Sequence, residues 1–136
     1  MTEQPTASEI IYDWNMNGDA VSPPMPTVRY VDETLRDGIQ CPSVTDPPIE
    51  AKMDFIRRLD RLGVHHVDIG LPGAGTRAVE DCTILAEFVR DERLSIELCC
   101  AARTHPNDIR PIIEISNAVG IPIEVMAFLG TSPIRL

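Results

Sequence analysis

Short β-branched, apolar segments alternate with stretches of helical periodicity from Thr27 onward. The segment TVRYVDETL, residues 27–35, predicts a strand followed by the loop Arg36-Asp37-Gly38, with Gly38 permitting a tight turn. Asp46-Pro47-Pro48 predicts a helix start, with Asp46 as N-cap and proline in the first turn. Ile49, Met53, Ile56, Leu59 and Leu62 then form one apolar stripe, and Gly63 closes the helix. The unit recurs. HHVDIGLP, residues 65–72, reads as a second strand, and Val79, Cys82, Leu85, Ala86 and Val89 mark a second helix. SIELCCAA, residues 95–102, is a third strand, closed by the loop Arg103-Thr104-His105-Pro106. Ile109, Ile112, Ile113 and Ile115 give a looser third helix ending at Gly120, and IPIEVMAFLG, residues 121–130, a fourth strand.

Strands alternating with helices imply a parallel sheet, because parallel neighbours need crossover connections. An open doubly wound sheet and a closed (β/α)₈ barrel both satisfy that pattern. No G-x-G-x-x-G follows the first strand, which weighs against a dinucleotide-binding sheet. A full barrel takes about 250 residues, so four βα units are about half of one. The expectation is therefore α/β: a partial (β/α)₈ TIM barrel over residues 27–136, preceded by an extended arm, residues 1–26. The arm is interrupted by Pro5, Pro23, Pro24 and Pro26 and carries an apolar anchor, Ile10-Ile11-Tyr12 with Trp14. A half barrel exposes two strand edges and one sheet face. A homo-oligomer, or a second chain supplying the remaining strands, is expected.

The chemistry-bearing stretch is Asp32-Glu33-Thr34-Leu35-Arg36-Asp37-Gly38-Ile39-Gln40, where the first strand leaves the sheet. Parallel α/β folds place their sites at that rim. A carboxylate there can bind a hard divalent cation, and a guanidinium beside it can hold an oxyanion with two parallel hydrogen bonds. A solvated Arg36-Asp37 pair is the plain alternative. The chain carries 12 Lys and Arg against 21 Asp and Glu, a net charge of −9, which argues against nucleic acid or an anionic membrane as partner. No segment reads as a transmembrane helix, and the polar start MTEQPTASE is unlike a signal peptide. Cys41, Cys82, Cys99 and Cys100 form no C-x-x-C pair, so buried reduced thiols in a cytoplasmic protein are expected.

Thr34-Leu35-Arg36-Asp37-Gly38 with Gln40 resembles the first-strand signature of the metal-dependent Claisen-condensing and retro-aldol barrel enzymes, the 2-isopropylmalate and homocitrate synthases among them. Gly63-Val64 with Val67-Asp68-Ile69-Gly70-Leu71-Pro72 is similar to their second strand, and Cys100-Ala101-Ala102-Arg103 to their third. Phe128-Leu129-Gly130-Thr131-Ser132-Pro133 is similar to the end of their fourth. The likeness covers residues 27–136, in order.

The resemblance implies an acyltransferase half-domain that condenses an acyl-CoA, acetyl-CoA in the first instance, with a 2-oxo acid. It implies Arg36 as the catalytic arginine and Asp37 as a ligand of a divalent metal, Mg, Mn or Zn. Gln40, Asp68, Arg103 and Thr131 fall on substrate-binding positions: Gln40 supports the loop by the metal, and Arg103 and Thr131 face the 2-oxo acid. There are departures. Glu33 stands where these enzymes carry Thr or Ser, and Met126 where several isopropylmalate synthases carry histidine. The family's His-x-His metal pair is absent; His65-His66 are adjacent and His105 follows the third strand. The chain is thus expected to be inactive without the other barrel half, whether it is a truncated piece or one subunit of a split enzyme. A non-catalytic half-barrel interaction module and the lyase or carboxyltransferase branch are the competing readings.

Overall fold

The computed structural model describes residues 27–134. The expected N-terminal arm, residues 1–26, lies outside them. Helix α1, Ile49–Leu62, buries Ile56 and Leu59 and ends on Gly63 at φ 77°, a left-handed cap. Its N-cap is Pro48, not Asp46. Asp46 instead reaches Lys52 Nζ at 2.8 Å and Arg77 at 2.7 Å, two cations that outbid the helix amides for its carboxylate. Leu62 also departs from the expected stripe and is 79% exposed. At about 100° per residue it lies some 240° round the helix from Ile56. The buried place one turn before Ile56 belongs to Lys52.

Helix α2, Thr76–Asp91, buries Cys82, Leu85, Ala86 and Val89, as the spacing predicts. Helix α3, Pro106–Val119, buries Asp108, Ile112, Ile115 and Val119. Ile113 is half exposed, because its neighbour Ile112 takes the inward direction. His105 caps α3 through Nδ1, which accepts from the Asn107 amide at 3.2 Å.

Four parallel strands complete the fold: β1, Val31–Asp32; β2, His66–Asp68; β3, Glu97–Arg103; and β4, Ile123–Phe128. Their spatial order is β1-β2-β3-β4, the order of the chain. A doubly wound sheet reverses direction at a switch point. This sheet does not, which is the winding of a (β/α)₈ barrel, and the architecture is α/β, a partial TIM barrel. The first strand is much shorter than residues 27–35. The amides of Arg36, Asp37 and Gly38 all turn back onto the Glu33 carbonyl, and a 3₁₀ turn, Gly38–Gln40, follows. Gly38 itself is not required there: a Cβ would meet only Thr34 Cγ2, at 3.5 Å, and its φ is not positive.

Alternation gives the sheet two unlike faces. Val67, Ile69, Leu98, Cys100 and Ala102 pack with Ile56, Leu59, Leu85 and Ile112 into one core under the helices. Each large aliphatic chain buried there contributes about 1.5–3 kcal/mol. His66, Asp68, Glu97 and Cys99 point the other way, toward what is the interior of a barrel. Cys82, Cys99 and Cys100 are buried free thiols, as expected, but Cys41 is exposed on the loop after β1. Burial pushes the Cys99 thiol up to about 12, so it is protonated and unreactive. Among the described residues no helix is long and apolar enough to cross a membrane.

Candidate active site

The carboxyl ends of β1 and β2 are adjacent, so the loops leaving them share one rim. Leu35, only 4% exposed, pins the first loop into the core. Its neighbour Arg36 is thereby aimed across β2. Arg36 Nε donates to Asp68 Oδ2 at 3.1 Å, Nη1 to Asp37 Oδ1 at 2.9 Å, and Nη2 to Glu33 Oε2. Asp68 is fully buried, and its other oxygen accepts the Gly70 amide at 3.0 Å. Gly70 is obligatory: its φ is 146°, and a Cβ would sit 2.9 Å from Cys82 Sγ. The turn that supplies the amide to Asp68 therefore cannot accept a side chain.

The electrostatics follow from that packing. Burial raises the Asp68 carboxyl above its ordinary range, and the Gly70 amide and Arg36 only partly reverse it. Burial lowers Arg36, but the bond to Asp68 and the charges of Asp68, Glu33 and Asp37 outweigh it and leave the guanidinium above its usual value. Arg36 is a permanent cation ringed by three carboxylates. Among the described residues three of its five N–H donors are engaged, which leaves two for an oxyanion.

Arg36, Asp37 and Asp68 are thus brought together. Gln40 lies on the same rim and lines, with Arg36, a cavity of about 570 Å³ between the loop after β1 and the start of α2. Arg103 and Thr131 are elsewhere. Arg103 forks onto Asp108 at the start of α3, with Nε to Oδ2 at 2.6 Å and Nη2 to Oδ1 at 2.8 Å. Thr131 is exposed beyond β4.

Glu33, which stands where the resembling enzymes carry Thr or Ser, is a direct partner of Arg36. Lys52, Asp81 and Asp108 carried no motif, and only tertiary pairing reveals them. Lys52 is buried beside the cavity with its ammonium 2.8 Å from both Asp46 and Asp81. Burial lowers its pKa, and the bonds to the two aspartates more than offset that.

The described residues alone do not fit a catalytic cation. Asp37 offers one exposed carboxylate, already paired with Arg36, and no group of three His, Cys, Asp or Glu comes together among them. His65 Nδ1 accepts the Tyr30 amide at 3.0 Å and His105 caps α3. His66 stands between Glu97 and Glu124, 3.5 Å from each, but through opposite ring nitrogens.

Comparison with known proteins bears on this arrangement. The sequence profile of the family described as HMGL-like matches residues 27–136. Over 112 residues, 82% of the chain, it is 33% identical to a 2-isopropylmalate synthase of Halothermothrix orenii, covering 21% of that protein. It is 36% identical over 112 residues to a probable 2-isopropylmalate synthase of Archaeoglobus fulgidus, covering 82% of this chain and 20% of that one. A homocitrate synthase of Methanothermobacter thermautotrophicus is 32% identical over 109 residues, 80% of this chain and 25% of its own length. The chain therefore spans between a fifth and a quarter of the curated relatives it matches.

Proposed function

Because this chain belongs to the HMGL-like family, we propose that it supplies the first βα units of an acyltransferase barrel that joins an acyl-CoA, acetyl-CoA by preference, to a 2-oxo acid in a Claisen-type condensation. The observation that carries the reading is Arg36, held on Asp68, Glu33 and Asp37 at the carboxyl rim with two N–H donors to spare.

In such a condensation negative charge passes from an enolate oxygen to a new alkoxide. A guanidinium already oriented for that charge stabilises it without reorganising, and loss of one such donor costs about 10²–10³ in rate. Asp68 is a positioning residue: buried and immobile, it fixes the Nε side of the fork and leaves the outer edge to substrate. Gln40 is exposed on the same rim and contacts substrate; Arg103 and Thr131 join it only through residues outside 27–134. Asp37 is proposed as one ligand of a divalent cation, Mg, Mn or Zn, whose other ligands also come from outside that stretch. The remaining strands come from a continuation of the polypeptide, a second chain or another copy. The four free thiols suit a cytoplasmic enzyme.

The test is to supply the missing strands as a second polypeptide and follow release of free CoA thiol from acetyl-CoA with a panel of 2-oxo acids. Metal-dependent release, reduced about 10²–10³-fold by Arg36→Lys, is the expected result. A folded assembly that releases no CoA with any 2-oxo acid overturns the proposal and favours a non-catalytic interaction module.

A further inference from the structure

The amino-terminal end of the sheet, opposite the rim that carries Arg36, holds a second cavity of about 630 Å³. Val89, Leu94, Ile96, Leu98, Ile121 and Ile123 give it apolar walls, where α2 leads into β3 and α3 into β4. Leu94, Ile121 and Ile123 are only partly buried, so an apolar cover removes further surface from water. One residue of the lining breaks a local rule. The chain leaves α2 through the turn that also ends α1. The Arg93 amide bonds the Arg90 carbonyl and the Leu94 amide the Val89 carbonyl, just as the Gly63 and Val64 amides bond those of Asp60 and Leu59. Glycine fills the left-handed position after α1, at φ 77°, and after α3, where Gly120 has φ 80°. After α2 that position is Arg93, at φ 55°, among the described residues the one non-glycine residue with positive φ. A side chain costs free energy there, and strain of this kind clusters where the side chain serves a contact. The neighbouring charges are already taken up. Arg90 bonds Asp91 at 2.7 Å and the Val119 carbonyl at 3.1 Å, whereas Arg93, exposed on the same lining, has no ion pair among the described residues. The two carboxylates of the lining, Glu97 and Glu124, flank His66, and Glu97 also bonds Arg29.

We propose that this groove is the seat of the chain's own N-terminal arm, with Ile10, Ile11 and Trp14 against the apolar walls and Asp13 paired with Arg93. Residues 1–26 carry four carboxylates, Glu3, Glu9, Asp13 and Asp19, and no lysine or arginine. Glu9 and Asp13 bracket Ile10-Ile11-Tyr12, so an apolar cluster and negative charge arrive together, which matches apolar walls beside the Arg93 guanidinium. Apolar burial supplies the hold, and the exposed ion pair fixes the register. The arm also joins the fold at the right end. Arg29, two residues beyond Thr27, bonds Glu97 at 2.6 Å, and Glu97 lines the groove. Fifteen residues lead from Trp14 to Arg29, a reach of up to about 50 Å. Neighbouring strands lie about 4.8 Å apart, so the step from β1 to β3 and β4 is well within that reach. The seat lies at the other end of the strands from Arg36 and stands apart from the condensation reading.

Trp14 is the chain's sole tryptophan, so its fluorescence reports the seat in the full chain. The expected result is blue-shifted emission that acrylamide quenches weakly, and a red shift with stronger quenching in Ile10→Asp. Photocrosslinking locates the contact: p-benzoylphenylalanine in place of Tyr12 is expected to couple, within one chain, to peptides spanning 89–98 or 121–124. Arg93→Glu lowers that yield about fivefold, and adding Asp13→Arg restores it. Arg93→Gly relaxes the turn while removing the charge, so it keeps the fold and still lowers the yield. Solvent-exposed Trp14 in the wild type overturns the proposal. So do crosslinks that fall elsewhere or join two chains, and a yield unchanged in both Arg93→Glu and Arg93→Gly, which leaves Arg93 a turn residue alone.

Discussion

Asp68→Asn separates the charge of Asp68 from its shape. The wild-type carboxylate is fully buried, accepts from the Gly70 amide at 3.0 Å and from Arg36 Nε at 3.1 Å, and has its pKa raised because burial outweighs those bonds. Asparagine keeps an acceptor for one of the two donors and removes the desolvated charge. What is lost is one charge-assisted bond to an arginine that retains Glu33 and Asp37. The expected cost at neutral pH is at most about 1 kcal/mol. Asp68→Ala instead strands the Gly70 amide and Arg36 Nε and opens a void, for about 2–4 kcal/mol. The pH dependence has a definite sign. A carboxyl whose pKa is raised on folding contributes most below its unfolded pKa, near 3.9, and loses that contribution as pH rises through its folded value. Stability of the wild type relative to Asp68→Asn therefore falls as pH rises from about 4 toward neutrality. Urea midpoints of the three proteins across that range check both points. Equal destabilisation by Asn and Ala, or a wild type that gains on Asp68→Asn as pH rises, refutes the reasoning that burial dominates at Asp68.

Lys52→Met leaves Asp81 without a cation and Asp46 with only Arg77. Because both aspartates are partly exposed, the cost falls below that of a fully buried pair, about 2–3 kcal/mol in urea unfolding. Asp108 is held down to about 2, mainly by its bond to Arg103. That contribution is present above the unfolded pKa, near 3.9, and is lost as pH falls through the folded value. The stability difference between the wild type and Asp108→Asn should therefore shrink between about pH 4 and pH 2 in a series of urea midpoints. Gly73→Ala places a Cβ 2.8 Å from Asp108 Cγ and 3.0 Å from Asp108 Cα, and the backbone atom cannot swing away. A loss of about 1–3 kcal/mol is expected on thermal melting, and an unchanged melt would mean that the loop after β2 yields freely.

The sequence made the winding legible because three- and four-residue spacings are imposed by the helix itself. Cys82, Leu85, Ala86 and Val89 could face only one way, and they face the core. Leu62, read onto the apolar stripe of α1, is exposed, while Lys52, which the stripe did not include, is buried. A lysine reads as solvated until Asp46 and Asp81 arrive from elsewhere in the chain. The β-branched run before Arg36 carried strand propensity well beyond β1, but a ladder exists only where β2 lies alongside. At the site, Arg36, Asp37 and Asp68 were readable from motif and position. Glu33 and Asp108 were not, since an ion pair depends on where loops land rather than on local spacing. Arg103 shows the converse: its place at the end of β3 was readable, and its engagement with α3 was not.

The two faces of the sheet divide these roles. Under the helices, strand side chains are apolar and packed, and stability resides there. On the opposite face a closed barrel usually stacks branched apolar residues in layers. Here Arg29 meets Glu97 at 2.6 Å, and His66 lies between Glu97 and Glu124. Arg29 pulls the Glu97 carboxyl below its usual range, yet both side chains are half exposed, and such a pair adds at most about 1 kcal/mol. These charges therefore do little to hold the fold together. Their effect is to leave a polar, self-paired surface that continues inward from the Arg36 and Asp68 rim. Whatever covers that surface must offer polar groups to His66, whose Nδ1 is buried without a hydrogen-bond partner among the described residues. An apolar layer laid over it would bury Glu97 and Glu124 as well, at a cost of several kcal/mol for each desolvated charge.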